Sequence, residues 1–170
     1  KPDAALADLK DYIEVDAALP YGEWPAMTPG KVVIMTSTSA NYPASVQGAL
    51  HKMISEGLTN PVILKASYAG VTPDEVTVRA SVDLGAPLMN GFVDGIMIES
   101  DAMSAADAVK LAFGILQATR LRITRTDYIA CPGCGRTLFD LQSTLKMVKS
   151  RTSHLKGLKI GVMGCIVNGP

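Results

Sequence analysis

Aromatic side chains, cysteine and any excess of charge are all scarce in this chain of 170 residues. Phe, Trp and Tyr make up 5% of it, against 48% hydrophobic residues overall. That ratio points away from a disordered or fibrous chain and towards an α/β interior packed with Val, Ile, Leu and Met. Sixteen basic residues cancel sixteen acidic ones. No basic stripe is left to neutralise a phosphate backbone, so nucleic acid is not an expected partner. No apolar run approaches the roughly 20 residues that cross a bilayer, so no membrane partner is expected either. Lys1-Pro2-Asp3-Ala4 does not open a secretory signal pattern. The cysteines number three, an odd count that argues against a secreted disulfide framework and for a reducing compartment. Both ends are abrupt, and the chain reads as a piece of something longer.

The length suits about one or two domains. From Ala4 to Val15, Leu6, Leu9 and Ile13 fall on one helical face. A loop rich in Pro and Gly follows and carries Trp24. The continuous apolar run Lys31–Met35 predicts a strand buried on both faces. A helix over 43–57 and a strand over 61–65 come next. Thr72-Pro73-Asp74-Glu75 is a helix start: Thr72 caps, Pro73 suits the first turn and Glu75 reaches back. Val76, Ala80, Leu84 and Leu88 line one side of that helix, and Pro87 is placed to kink or end it. A strand over 93–98 precedes a helix opened by Ser104 and Asp107, with Ala108, Ala112, Ile115 and Thr119 along one side. This alternation predicts an α/β fold of parallel strands with covering helices, part of a (β/α) barrel being one form of it. The pattern restarts after Arg125. Tyr128–Ala130 is a strand, 137–150 a helix with Leu138, Leu141, Leu145 and Val148 as its stripe, and Lys159–Met163 a strand. The expected domains are therefore 1–125 and 126–170. There is no internal repeat or low-complexity segment.

The three cysteines occur in two phrases. One is Cys131-Pro132-Gly133-Cys134-Gly135-Arg136; the other is Gly164-Cys165-Ile166-Val167-Asn168-Gly169-Pro170. Each follows a strand, and the carboxyl ends of parallel strands are where ligands gather. A βαβ unit would bring the two strand ends together. Three soft ligands grouped in this way suit an iron–sulfur cluster or zinc, and the spacing alone does not separate the two. Zinc in a structural site takes four protein ligands. His154 is the nearby candidate, in a polar helix-to-strand loop; His51 belongs to the earlier region. A zinc-stabilised structural or interaction module thus stands beside the cluster, and three free thiols form a third reading. Thr36–Ser39 could face a phosphate or cap a helix. Asp94 and Glu99 could be acid/base groups or strand-end polarity. Arg120, Arg122 and Arg125 form a basic run suited to a domain junction or to an acidic electron carrier.

The stretches Tyr128–Asp140 and Met163–Pro170 resemble the 4-hydroxy-3-methylbut-2-enyl diphosphate synthase family of the non-mevalonate isoprenoid pathway. The likeness extends upstream through Leu84–Glu99 and Gly114–Arg120, and the wording is nearest the long, three-domain form of plants and some bacteria. The resemblance implies that residues 1–125 close a TIM-barrel-like insert. Residues 126–170 would then form the first βαβ of a reductase-like iron–sulfur domain. It implies an oxidoreductase that reductively opens 2-C-methyl-D-erythritol 2,4-cyclodiphosphate to a linear allylic diphosphate, with ferredoxin or flavodoxin as electron donor. A [4Fe-4S] cluster would be held by Cys131, Cys134 and Cys165, and by a labile Glu whose place falls beyond Pro170. Asn168 would hydrogen-bond substrate. Arg136 would offer charge to a diphosphate, stabilise reduced sulfur, or pair with Asp140 one helical turn on. The resemblance further implies a homodimer in the full-length protein, a bacterial cytoplasmic or plastid-stromal location, and no activity in this stretch alone.

Overall fold

Val33, Ile34 and Met35 are all buried in β2 (Val32–Thr36), as an apolar run covered on both faces should be. The computed structural model describes residues 11–165, which divide between Thr119 and Arg120 into two compact units. In the first unit β2 lies between β1 (Tyr12–Asp16) and β3 (Val62–Tyr68), and β4 (Gly95–Ser100) follows β3. All the pairings are parallel, with Tyr12 opposite Val32, Ile34 opposite Ile63 and Leu64 opposite Ile96. Helices α1 (Tyr42–Ser55), α2 (Pro73–Met89) and α3 (Ala105–Ala118) follow β2, β3 and β4 in turn. The expected α/β class with parallel strands is thus present. Parallel crossovers are right-handed, so a strand order that never reverses lays its helices along one face. Consistently, α1 packs on α2 and α2 on α3.

Helix α2 forms where several local signals agree. Thr72 accepts the Glu75 N–H while the Glu75 carboxylate accepts the Thr72 N–H, a complete capping box. Val76, Ala80, Leu84 and Leu88 then recur at helical spacing and are all buried. Pro87 does not break the helix; it lies three residues before the C-cap Asn90, so the helix ends within one turn of it.

The N-terminal helix expected over Ala4–Val15 is corrected by β1. Ile13 and Val15 are buried while Glu14 between them is exposed, a period of two rather than 3.6. Five register pairs with β2 hold this segment extended, and its two apolar side chains enter the core. Leu6 and Leu9 lie outside the described residues.

The second unit contains β5 (Asp127–Ala130), α4 (Leu141–Thr152) and β6 (Lys159–Val162). β5 and β6 pair in parallel, from Asp127 opposite Lys159 to Ala130 opposite Val162. The buried Thr126 hydroxyl donates to the Leu155 carbonyl at 2.7 Å, tying the start of β5 to the segment after α4. Helix α4 starts later than the stripe from Leu138 predicts. Asp140 caps it by accepting the N–H groups of Gln142 and Ser143, and Leu138 is left outside, 86% exposed. Leu141, Leu145 and Val148 remain as a half-buried stripe.

Candidate metal centre

Both cysteine turns leave the same end of the β5–β6 pair. Cys131 directly follows β5, and its N–H donates to the Val162 carbonyl at 3.1 Å, extending the ladder one residue into the turn. Cys165 lies three residues past that same Val162. The parallel pairing therefore decides the first geometric question: the thiols share one strand end.

Local backbone choices shape the turns. Gly133 sits at φ +79, the left-handed region that a side chain would strain. A tight turn follows at Gly135 and Arg136. The Thr137 N–H donates to the Cys134 carbonyl at 2.9 Å, and the Cys134 N–H donates to Thr137 Oγ1 at 3.3 Å. Hydrogen bonding from the Arg136 N–H, then from the Arg136 guanidinium, holds the Cys134 thiol below the ordinary cysteine value against the opposing effect of burial, with a smaller lowering contribution from Thr137. The ring of Phe139 connects the two phrases: a Cβ on Gly164 would lie 3.2 Å from Phe139 Cε1. Glycine at 164 is what admits the ring beside the second turn.

Cys134 is exposed, and Cys131 and Cys165 are partly buried. Three cysteines that follow the same end of two paired strands fit a soft metal centre in kind. They are not gathered into a finished site: among the described residues no three His, Cys, Asp or Glu side chains are grouped so as to hold a metal ion. His154 lies in the turn between α4 and β6, at the opposite end of the strand pair from the cysteines. Asn168 lies outside the described residues. Arg136 sits in the turn before α4 rather than on a helix, and Asp140 serves as the α4 cap, so the expected helical Arg136–Asp140 arrangement does not form. The sequence did not single out Thr137 or Phe139; a tight Gly-containing turn after Cys134 was the available signal for the first, and nothing local signals the second.

The remaining candidates are occupied structurally. Ser37 donates to Ser45 and Thr38 to Asp16, while Asn41 rather than Thr36–Ser39 caps α1. Thr36, Ser37, Thr38 and Ser39 line a cleft of about 600 Å³ beyond β2 and β3, in whose wall the Tyr68 hydroxyl donates to Asp83. The Asp94 carboxylate accepts the Val62 N–H at 2.8 Å, closing the start of β3. Glu99 pairs with Lys65 at 3.0 Å and accepts from Ser67. Arg120, itself at φ +65, pairs with Asp127 at 2.6 Å.

Residues 127–170 match the GcpE protein C-terminal domain family. The chain is 50% identical over 143 residues to the 4-hydroxy-3-methylbut-2-en-1-yl diphosphate synthase (flavodoxin) of Bacteroides fragilis strain YCH46, which covers 84% of this chain and 23% of that protein. The enzyme of the same name from Porphyromonas gingivalis is 48% identical over 139 residues, 82% of this chain and 24% of that protein. That from Leptospira interrogans is 48% identical over 111 residues, 65% of this chain and 16% of that protein. The chain thus spans about a quarter of the length of the first two relatives. A likeness over 143 of 170 residues exceeds the length of either unit, so the chain is similar to these 4-hydroxy-3-methylbut-2-en-1-yl diphosphate synthases across the boundary between its two units.

Proposed function

We propose that this chain supplies the opening of a [4Fe-4S] domain, and part of the barrel-like insert before it, to an oxidoreductase of isoprenoid biosynthesis. That enzyme reductively opens 2-C-methyl-D-erythritol 2,4-cyclodiphosphate to 4-hydroxy-3-methylbut-2-enyl diphosphate. The flavodoxin in the relatives' names supports a flavodoxin-class electron donor. The observation that carries the reading is the parallel β5–β6 pair, which brings Cys131 and Cys165 to one end. Cys131, Cys134 and Cys165 would be the protein ligands. When bound, the cluster supplies low-potential electrons and a Lewis-acidic iron, chemistry that no side chain provides. The chain's own residues would hold it: Gly133 takes a left-handed conformation between the first two cysteines, and Phe139 lies against Gly164 beside the third. Asn168 is assigned to substrate binding beside the third ligand. The unreversed order β1–β2–β3–β4 supports reading the first unit as an arc of a barrel.

The zinc module is the weaker alternative, because the one nearby histidine lies at the wrong end of the strand pair. Anaerobic reconstitution with iron and sulfide separates the two. The full-length synthase carrying this stretch should become brown, bind about four irons, and lose them when Cys131, Cys134 or Cys165 is changed to Ser. A colourless protein holding stoichiometric zinc sinks the cluster reading. Because the stretch matches only about a quarter of its relatives' length, the 170-residue chain alone should turn over no cyclodiphosphate under the same conditions.

A further inference from the structure

We infer that the outer face of α4 is a docking surface for an acidic electron carrier, with Lys146, Lys149 and Arg151 as its positive charges. This rests on the electron-donor reading above. The neutral total of the chain conceals a division between its units. Residues 120–170 hold nine Lys and Arg against two acids, a formal net charge of +7, while residues 1–119 hold seven against fourteen, a net −7. The two acids of the second unit are already engaged: Asp127 pairs with Arg120, and Asp140 caps α4. Helix α4 itself contains no Asp or Glu. Leu141, Leu145 and Val148 form its half-buried stripe, and Lys146, Met147, Lys149 and Arg151 are exposed. Lys149 Nζ stands 5.4 Å from the centre of the Tyr128 ring, which steadies that cation against β5.

Position and composition select the partner. Helix α4 starts a few residues after Cys134, and Lys146 lies about 8 Å of helical rise from that start. A protein laid on this face therefore comes close to the cysteine-bearing end of the unit. Met147, 52% exposed among the cations, offers the apolar contact that a protein surface uses. Three cations around an apolar side chain are a short, mixed patch, unlike the long basic stripe that tracks a phosphate backbone. Exposed charges of this kind steer encounter and fix orientation, so their effect falls on the association rate and weakens with salt. Basic residues in the last turn also suit the helix dipole, which accounts for Lys149 and Arg151 but not for Lys146 in mid-helix. A role confined to the dipole predicts lost stability with no change in the salt dependence of reduction.

The test uses a polypeptide of the relatives' length carrying this stretch, reconstituted with iron and sulfide, with residues numbered as in this chain. Its reduction by reduced flavodoxin, followed in stopped flow, should slow roughly tenfold between about 20 and about 300 mM sodium chloride. Lys146→Glu combined with Arg151→Glu should slow it roughly tenfold at the low salt and flatten the salt dependence, while reduction by dithionite keeps the wild-type rate. A loaded double variant that flavodoxin reduces at the wild-type rate, with the wild-type salt dependence, overturns the inference and leaves the cluster reading standing. Equal slowing with both reductants places the effect at the cluster and overturns it too. Should the variant fail to load, lysine acetylation of the wild type decides. Oxidised flavodoxin should shield Lys146 and Lys149 and leave the exposed Lys110 of the first unit reactive. Unshielded Lys146 and Lys149 overturn the inference, and so does their failure to react before flavodoxin is added, which would place another part of the polypeptide on the face. Equal shielding by a short DNA duplex would reveal a general polyanion surface and overturn the choice of partner. A wild-type protein that takes up no iron overturns the cluster reading, and this inference with it.

Discussion

Asp16 shows how one carboxylate can join elements that are distant in sequence. It sits at the end of β1 and accepts the Ala18 N–H at 2.9 Å, the Thr38 N–H at 3.1 Å and the Thr38 hydroxyl at 2.7 Å. Burial alone would raise its pKa, but these donors together outweigh it and hold the carboxyl below its ordinary value. A carboxyl whose folded pKa is depressed contributes stability above its unfolded value and loses it as pH falls through the folded one. Asp16→Asn should therefore cost about 1 kcal/mol at neutral pH, a charged hydrogen-bond contribution discounted for exposure. The gap to wild type should close as pH drops below about 4. Urea unfolding at a series of pH values reads both effects, and a gap that stays constant into acid would show that the carboxylate charge is not what matters.

At the scale of elements, α2 was legible in the sequence because its signals are redundant. The cap, the proline, the reaching glutamate and the apolar stripe all specify the same helix. The stripe carries more of the stability than the cap. Leu84→Ala, at a site with no solvent exposure, should cost about 2–5 kcal/mol, while Thr72→Ala should cost about 1 kcal/mol. Equal losses in urea melts would mean that the helix is held by its end rather than by its packing. β1 was misread for the opposite reason. Ile13 continues the helical spacing of Leu6 and Leu9 in the sequence, whereas the deciding interaction is a parallel ladder to a strand some twenty residues away. The start of α4 was misplaced because Leu138 fits the helical stripe, whereas Asp140 is the residue whose side chain caps the helix. The same division runs through the candidate site. Two cysteine turns after two strands are a local pattern and could be read directly. The donors around Cys134 and the ring of Phe139 against Gly164 depend on how the turns close in space, and spacing does not encode that.

Across the whole molecule, burial is uneven. β2 and β3 between them bury Val33, Ile34, Met35, Val62, Leu64, Ala66 and Tyr68. In the second unit, among the described residues, only Thr126 and Val162 are buried, while Ile129, Met147, Leu158 and Met163 are each close to half exposed or more. At about 1.5–3 kcal/mol for each fully buried large apolar side chain, the first sheet is far better anchored than the β5–β6 pair. The contrast makes local opening of the cysteine-bearing unit the low-energy fluctuation of this chain. Hydrogen exchange on the 170-residue chain should find the amides of Ile129, Ala130 and Ile160–Val162 exchanging at least a hundredfold faster than those of Val33–Met35 and Ile63–Leu64. Within a polypeptide of the relatives' length carrying this stretch, of which the stretch would be about a quarter, the protection of the same β5 and β6 amides should rise. Reconstitution with iron and sulfide should raise it again, because metal bound only by the folded unit stabilises that unit by mass action. Equal protection of both sheets in the isolated chain would show that the exposed apolar surface of the second unit needs no partner, and that its cysteine turns are held by the β5–β6 pair and α4 alone.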